Sequence, residues 1–141
     1  MSWYVRYKVL RVPLCDCGLN YLMEEDDAEY TLRCKYPGAV SYHDPGKFTI
    51  TYTDSGWFLD YVLEYESDCD GEYGKVRDLE DSEKEMYRPV FQVICPDIDM
   101  DKVRLVDYCY YNCCEPNGYY DITTDPFYKK LQFICAIEGF Q

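Results

Sequence analysis

The chain predicts an α+β fold: a single domain over residues 1–141, built on a largely antiparallel β-sheet of about six or seven strands with one or two short helices. Three observations carry this expectation. Several segments alternate apolar and polar residues with period two, the signature of an antiparallel sheet with one polar face. Hydrophobic residues make up 48% of the chain, enough to bury a core rather than stay disordered. No repeat, low-complexity linker or break in composition divides the 141 residues, a length that suits one core.

The elements follow in chain order. Residues 3–12 set Trp3, Val5, Tyr7 and Val9 against Tyr4, Arg6 and Lys8, and read as a strand. Residues 19–28, "LNYLMEEDDA", are a secondary helix candidate. Residues 30–36 set Tyr30, Leu32, Cys34 and Tyr36 against Thr31, Arg33 and Lys35, and read as a strand. Residues 47–53 do the same with Phe48, Ile50 and Tyr52 against Lys47, Thr49, Thr51 and Thr53. Residues 57–66 fit a helix through Phe58, Tyr61, Val62 and Tyr65 as well as a strand, but Asp54, Ser55 and Gly56 form a short turn and the aromatics favour strands, so 57–66 become the second arm of a hairpin. After a loop at 67–74, residues 75–87 are the main helix candidate, rich in helix formers and uninterrupted until Pro89. "VFQVIC" (90–95) reads as a strand, "PDIDMD" as a turn, and 103–112 and 130–137 as the last two strands.

The stretch "DYCYYNCCEPNGYYD", residues 107–121, is the densest in tyrosine and cysteine. Its first half ends a strand, with Leu105, Cys109 and Tyr111 on one face and Val106, Tyr108 and Tyr110 on the other. "CEPNG" is a turn, because proline suits its second position and Asn117 with Gly118 tolerates positive φ. Tyr119 and Tyr120 follow, so the segment reads as a strand, a turn and an aromatic rim. A tyrosine offers an apolar ring and a polar hydroxyl, which suits a contact surface.

Charge is the strongest functional signal. The formal net charge is -13, from 14 basic and 27 acidic residues, a field that repels nucleic acid and anionic membranes and favours basic partners. It is unevenly spread. Asp16, Glu24, Glu25, Asp26, Asp27 and Glu29 lie in a stretch without a base, and residues 60–85 hold eleven acids against three bases. Carboxylates beside tyrosines suit the recognition of arginine and lysine through charge-assisted hydrogen bonds and cation–π contacts.

The sequence lacks a signal peptide and an eighteen-residue apolar window, which points to a cytoplasmic chain with reduced thiols. Its nine cysteines are an odd number, so they cannot all pair. Cys15 and Cys17 form C-x-C, and Cys109, Cys113 and Cys114 form C-x3-C-C, two turns from which zinc ligands could come; neither has the C-x2-C spacing of a zinc knuckle. Cys34, Cys95 and Cys135 are expected in the core as small hydrophobes. His43 is the single histidine, in the turn-forming "VSYHDPGK", and no nucleophile motif surrounds a serine or cysteine. "DIDMDK" starts like a calcium loop but has Lys102 where glycine is required and Tyr108 where glutamate is. No phosphate-binding glycine motif is present.

The expectation is a non-catalytic, acidic, tyrosine-rich protein-binding module without a cofactor. Its partner would be the basic surface of a protein that handles nucleic acid, with no direct nucleic-acid or membrane contact. In size and charge it is comparable to small acidic inhibitors of CRISPR nucleases and other defence enzymes, an analogy of composition alone. The contacts are expected from Glu24, Glu25, Asp26 and Asp27, from Asp78, Glu80, Asp81, Glu83 and Glu85, and from Tyr108, Tyr110, Tyr111, Tyr119 and Tyr120. The alternatives are a zinc-stabilised domain, a homodimer or assembly subunit, and a carboxylate hydrolase.

Overall fold

The computed structural model describes residues 4–53, 55–67 and 73–111. Among them the order is β1 (Tyr4–Pro13), 3₁₀ turns at Leu14–Cys17 and Asn20–Glu24, α1 (Ala28–Lys35), β2 (Phe48–Thr53), β3 (Gly56–Ser67), β4 (Tyr73–Asp78), α2 (Asp81–Gln92), a 3₁₀ turn at Met100–Lys102, and β5 (Arg104–Tyr111). The strands form one sheet in the order β2-β3-β1-β5-β4, every neighbouring pair antiparallel. The α+β class therefore holds, with five described strands rather than six or seven; the strand expected at 130–137 lies outside the described residues.

β1 lies at the centre, with Tyr7 opposite Tyr65 on one side and Tyr108 on the other. The register with β3 slips between Lys8 and Val9, so Leu63 is an extra residue that bulges β3. Both faces of the sheet are buried. Val5, Tyr7, Val9, Phe58, Val62, Val106 and Tyr108 form a cluster on one face. On the other, Leu10, Val12, Leu59 and Leu105 meet Leu22, Leu32, Phe91, Ile94 and Met100. The expected single polar face is thus replaced at the sheet centre by a second apolar one, to which β1 gives Val5, Tyr7 and Val9 while Leu10 and Val12 serve the other face.

Two expected strands are helical. Residues 30–35 belong to α1 and Tyr36 caps its C-terminal end, because the buried residues Ala28 and Leu32 are four apart, as is half-buried Tyr36 from Leu32. Asp27 caps the helix by accepting the Tyr30 N–H at 3.0 Å, with Glu29 in the first turn and Arg33 and Lys35 in the last, matching the helix dipole. Cys34 is consequently exposed and not in the core. The secondary helix candidate at 19–28 is a 3₁₀ turn followed by the start of α1.

The main helix candidate is displaced. Residues 75–78 pair with β5 as the edge strand β4, and the helix runs from Asp81 through Pro89 to Gln92, taking in much of the strand expected at 90–95. Tyr87, Val90, Phe91 and Ile94 fall at i, i+3, i+4 and i+7, and all pack on the core. That stripe outweighs the single backbone hydrogen bond that Pro89 cannot donate. Phe91 meets Phe48 of β2 at 5.2 Å and Tyr61 of β3 at 6.3 Å between ring centres, while the start of α2 adjoins the end of β4. Its 12 residues rise about 18 Å, close to the ~19 Å width of five strands, so α2 crosses the sheet from one edge to the other. No helix among the described residues is long and apolar enough to cross a membrane.

Candidate functional site: acidic surface runs and a buried ion pair

The sheet carries a charged centre. Arg11 on β1 lies opposite Asp60 on β3, and both are buried, at 2% and 0% exposure. Arg11 donates from Nε to Oδ1 and from Nη2 to Oδ2, each at 2.8 Å. Thr51 and Tyr7 donate their hydroxyls to Oδ2 at 2.7 and 3.2 Å. The guanidinium also stands 5.1 Å from the centre of the Phe58 ring. Four donors fill most of the capacity of one carboxylate, which offsets the cost of taking two charges out of water.

His43 adjoins this centre. Its ring stacks on Tyr65 at 5.0 Å and lies against Tyr42 at 4.0 Å and Tyr7 at 5.1 Å. Its backbone is left-handed, with φ 57°, and Nδ1 is buried without a hydrogen-bond partner. Burial lowers the imidazole pKa below its ordinary value, against the opposing pull of Asp60 and Asp44. Burial, with Asp60 beside it, raises the Tyr7 phenol well above its ordinary value. The sequence shows part of this arrangement, since Arg11 and Asp60 each sit alone within apolar runs, "VLRVPL" and "WFLDYVL".

The expected contact residues fall into three groups. Glu24, Glu25 and Asp26 are exposed and have no ion pair among the described residues. Glu24 ends the 3₁₀ turn and Glu25 and Asp26 connect it to α1, flanked by Tyr21 and Tyr30 at 43% and 56% exposure and by exposed Met23. Arg33 stands 5.6 Å from the Tyr30 ring centre and Lys35 stands 5.7 Å from that of Tyr21, so these rings already face cations. Asp27 is exposed but is used as the α1 cap.

The second group is largely engaged within the chain. Glu83 accepts two bonds from Arg77, at 2.7 and 2.9 Å, and completes a capping box with Glu80 at the start of α2. Arg77, then the Glu80 backbone N–H, hold its carboxyl at a pKa of about 2. Asp78 pairs with Arg104, Glu85 with Arg88, and Asp81 with Lys84, which also binds Asp101. These acids remain on the outer surface, but much of their charge is balanced locally.

The third group is the tyrosine rim. Tyr108 is 3% exposed and belongs to the core, where its ring stands 5.3 Å from Tyr7, so it offers no contact surface. Tyr110 and Tyr111 complete β5, and Tyr119 and Tyr120 lie outside the described residues.

Among the described residues no group of three or more His, Cys, Asp or Glu is placed to hold a metal ion. Cys109 is buried and disulfide-bonded, so it carries no thiolate for zinc and departs from the expected reduced state. Cys15 and Cys17 are free, and Cys113 and Cys114 lie outside the described residues. A groove of about 570 Å³ collects Lys8, Lys75 and Arg77 around Asp107 and Leu105, a basic feature that the net charge conceals. No protein-family model, curated protein or solved structure matches this chain.

Proposed function

We propose that the protein is a binding module that presents carboxylates and tyrosines to the basic, nucleic-acid-binding surface of another protein and competes with nucleic acid for it. The observation that supports this reading is the exposed run Glu24–Glu25–Asp26, which has no internal cation partner among the described residues and is flanked by exposed Tyr21, Met23 and Tyr30. Such a surface offers charge-assisted hydrogen bonds to lysine and arginine, and ring faces on which a guanidinium stacks. The surrounding negative charge speeds encounter with a basic partner and makes binding sensitive to salt.

The test is capture from nuclease-treated host lysate by the tagged full chain, beside a Glu24→Lys, Glu25→Lys, Asp26→Lys variant. The expected result is a nucleic-acid-binding protein held by the parent chain, released by salt or by added DNA or RNA, and not held by the variant. Equal retention by both chains, or retention that added nucleic acid leaves unchanged, overturns the reading.

A further inference from the structure

Cys17 ends the 3₁₀ turn that follows β1, and Cys95 lies just beyond α2, yet the fold brings them together. Both line one pocket of about 210 Å³, with Asp16, Gly18, Pro96 and Asp97 completing its wall. Both are free, Cys17 half-buried and Cys95 fully buried, and Cys17 packs against the core cluster to which Cys95 belongs. Exposed Cys15 stands close by.

We propose that Cys17 and Cys95 are a redox-closable pair, which a low-molecular-weight disulfide converts into a Cys17–Cys95 bond tying the turn after β1 to the segment after α2. The order of steps follows from access. The Cys17 thiolate attacks one sulfur of the small disulfide, breaks its S–S bond and forms a mixed disulfide, and the first small thiolate leaves and takes up a proton. Cys95 then gives its proton to solvent, its sulfur attacks Cys17 Sγ, and the second small thiol leaves. Two protein thiols lose two electrons and two protons, and one small disulfide gains them to become two thiols.

The surroundings make this a lock rather than an exchange catalyst. Catalytic dithiols carry a thiol whose pKa is depressed. Here the neighbouring Cys95 thiol, and then burial, push the Cys17 thiol well above its ordinary range. Closure is therefore slow at neutral pH and accelerates as pH rises. Once formed, the bond closes a long loop and joins the turn that leads into the acidic run to the far end of the helix above the sheet.

The experiment is native incubation of the full chain with oxidised glutathione, followed by alkylation and peptide mapping. The expected product is a Cys17–Cys95 linked peptide, formed faster at higher pH, with a thermal midpoint several degrees above that of the reduced chain. Cys15→Ser retains the product, and Cys17→Ser, matched to the parent by circular dichroism, loses both product and shift. Recovery of Cys17 and Cys95 as separately alkylated or glutathionylated residues, or a Cys15–Cys95 link in their place, overturns the proposal. The map of the parent chain alone decides the point if the Cys17→Ser variant fails to fold.

Discussion

Arg11 and Asp60 face each other across β1 and β3 and close two hydrogen bonds of 2.8 Å at a position from which water is excluded. This pair organises one face of the sheet, because Tyr7 and Thr51 also donate to Asp60 and Phe58 lies beneath the guanidinium. Removing one partner strands a buried charge. Asp60→Asn should destabilise the chain by about 3–5 kcal/mol, read as a fall in the urea midpoint. The double variant Arg11→Met, Asp60→Leu should lose less than Asp60→Asn alone, since it leaves no unpaired charge. A double variant worse than the single one would contradict this account of the pair.

His43 should make stability depend on pH in the mildly acidic range. Burial keeps its folded pKa below the ordinary value, so the folded chain carries it neutral, while the unfolded chain takes up a proton as pH falls through about 6.5. Its contribution is complete above that pH and is lost as pH falls toward the folded pKa. His43→Phe keeps a ring between Tyr7, Tyr42 and Tyr65 and removes the titration. The expected result is a flatter curve of unfolding midpoint against pH below 6.5 in the variant. Equal slopes would show that the imidazole is not held neutral.

Glu83 sets a second, more acidic limb. Its carboxyl is held at about 2, so the stability it gives is present above the ordinary carboxylate range and is lost as pH falls from about 4.5 toward 2. Because the pair with Arg77 is largely exposed, the effect is that of a capping box and not of a buried ion pair. Glu83→Gln should cost about 1 kcal/mol at neutral pH and show a shallower acid limb than the parent chain.

What could be read in the sequence follows from which signals competed. The alternation in β1 and β2 was unopposed, and at 57–66 the short turn at Ser55 and Gly56 decided for the hairpin over a helical spacing through Phe58, Tyr61, Val62 and Tyr65. Residues 30–36 satisfied period two and period four together, and the Asp27 cap with its acid-first, base-last charges was the signal that separated them. Pro89 hid the stripe Tyr87, Val90, Phe91 and Ile94, which runs through it at helical spacing. For the site, composition located the free run at Glu24–Asp26 but could not show that Glu83 and Asp78 are spent on Arg77 and Arg104. Tyr108 was counted with the rim because it lies in the tyrosine-dense stretch; the apolar residues on both faces of that strand were the signal that the sheet buries both.

These assignments separate two residues that look alike in sequence. Phe91→Ala removes a buried ring from between Phe48 and Tyr61 and should cost about 3–5 kcal/mol. Cys34→Ser changes an exposed position on α1 and should shift stability by no more than about 0.5 kcal/mol. Large losses from both, measured by urea unfolding, would return residues 30–36 to the core of the sheet.

The measurement that bears most directly on the acidic binding surface is the affinity of the captured partner for the parent chain and for Glu24→Gln, Glu25→Gln, Asp26→Asn, at low and at high salt. Three exposed charges at ~0.2–1 kcal/mol each predict binding weaker by up to about a hundredfold at low salt, with the gap closing as salt rises. An affinity that is the same for both chains at low salt would contradict the claim that this run of carboxylates makes the contact.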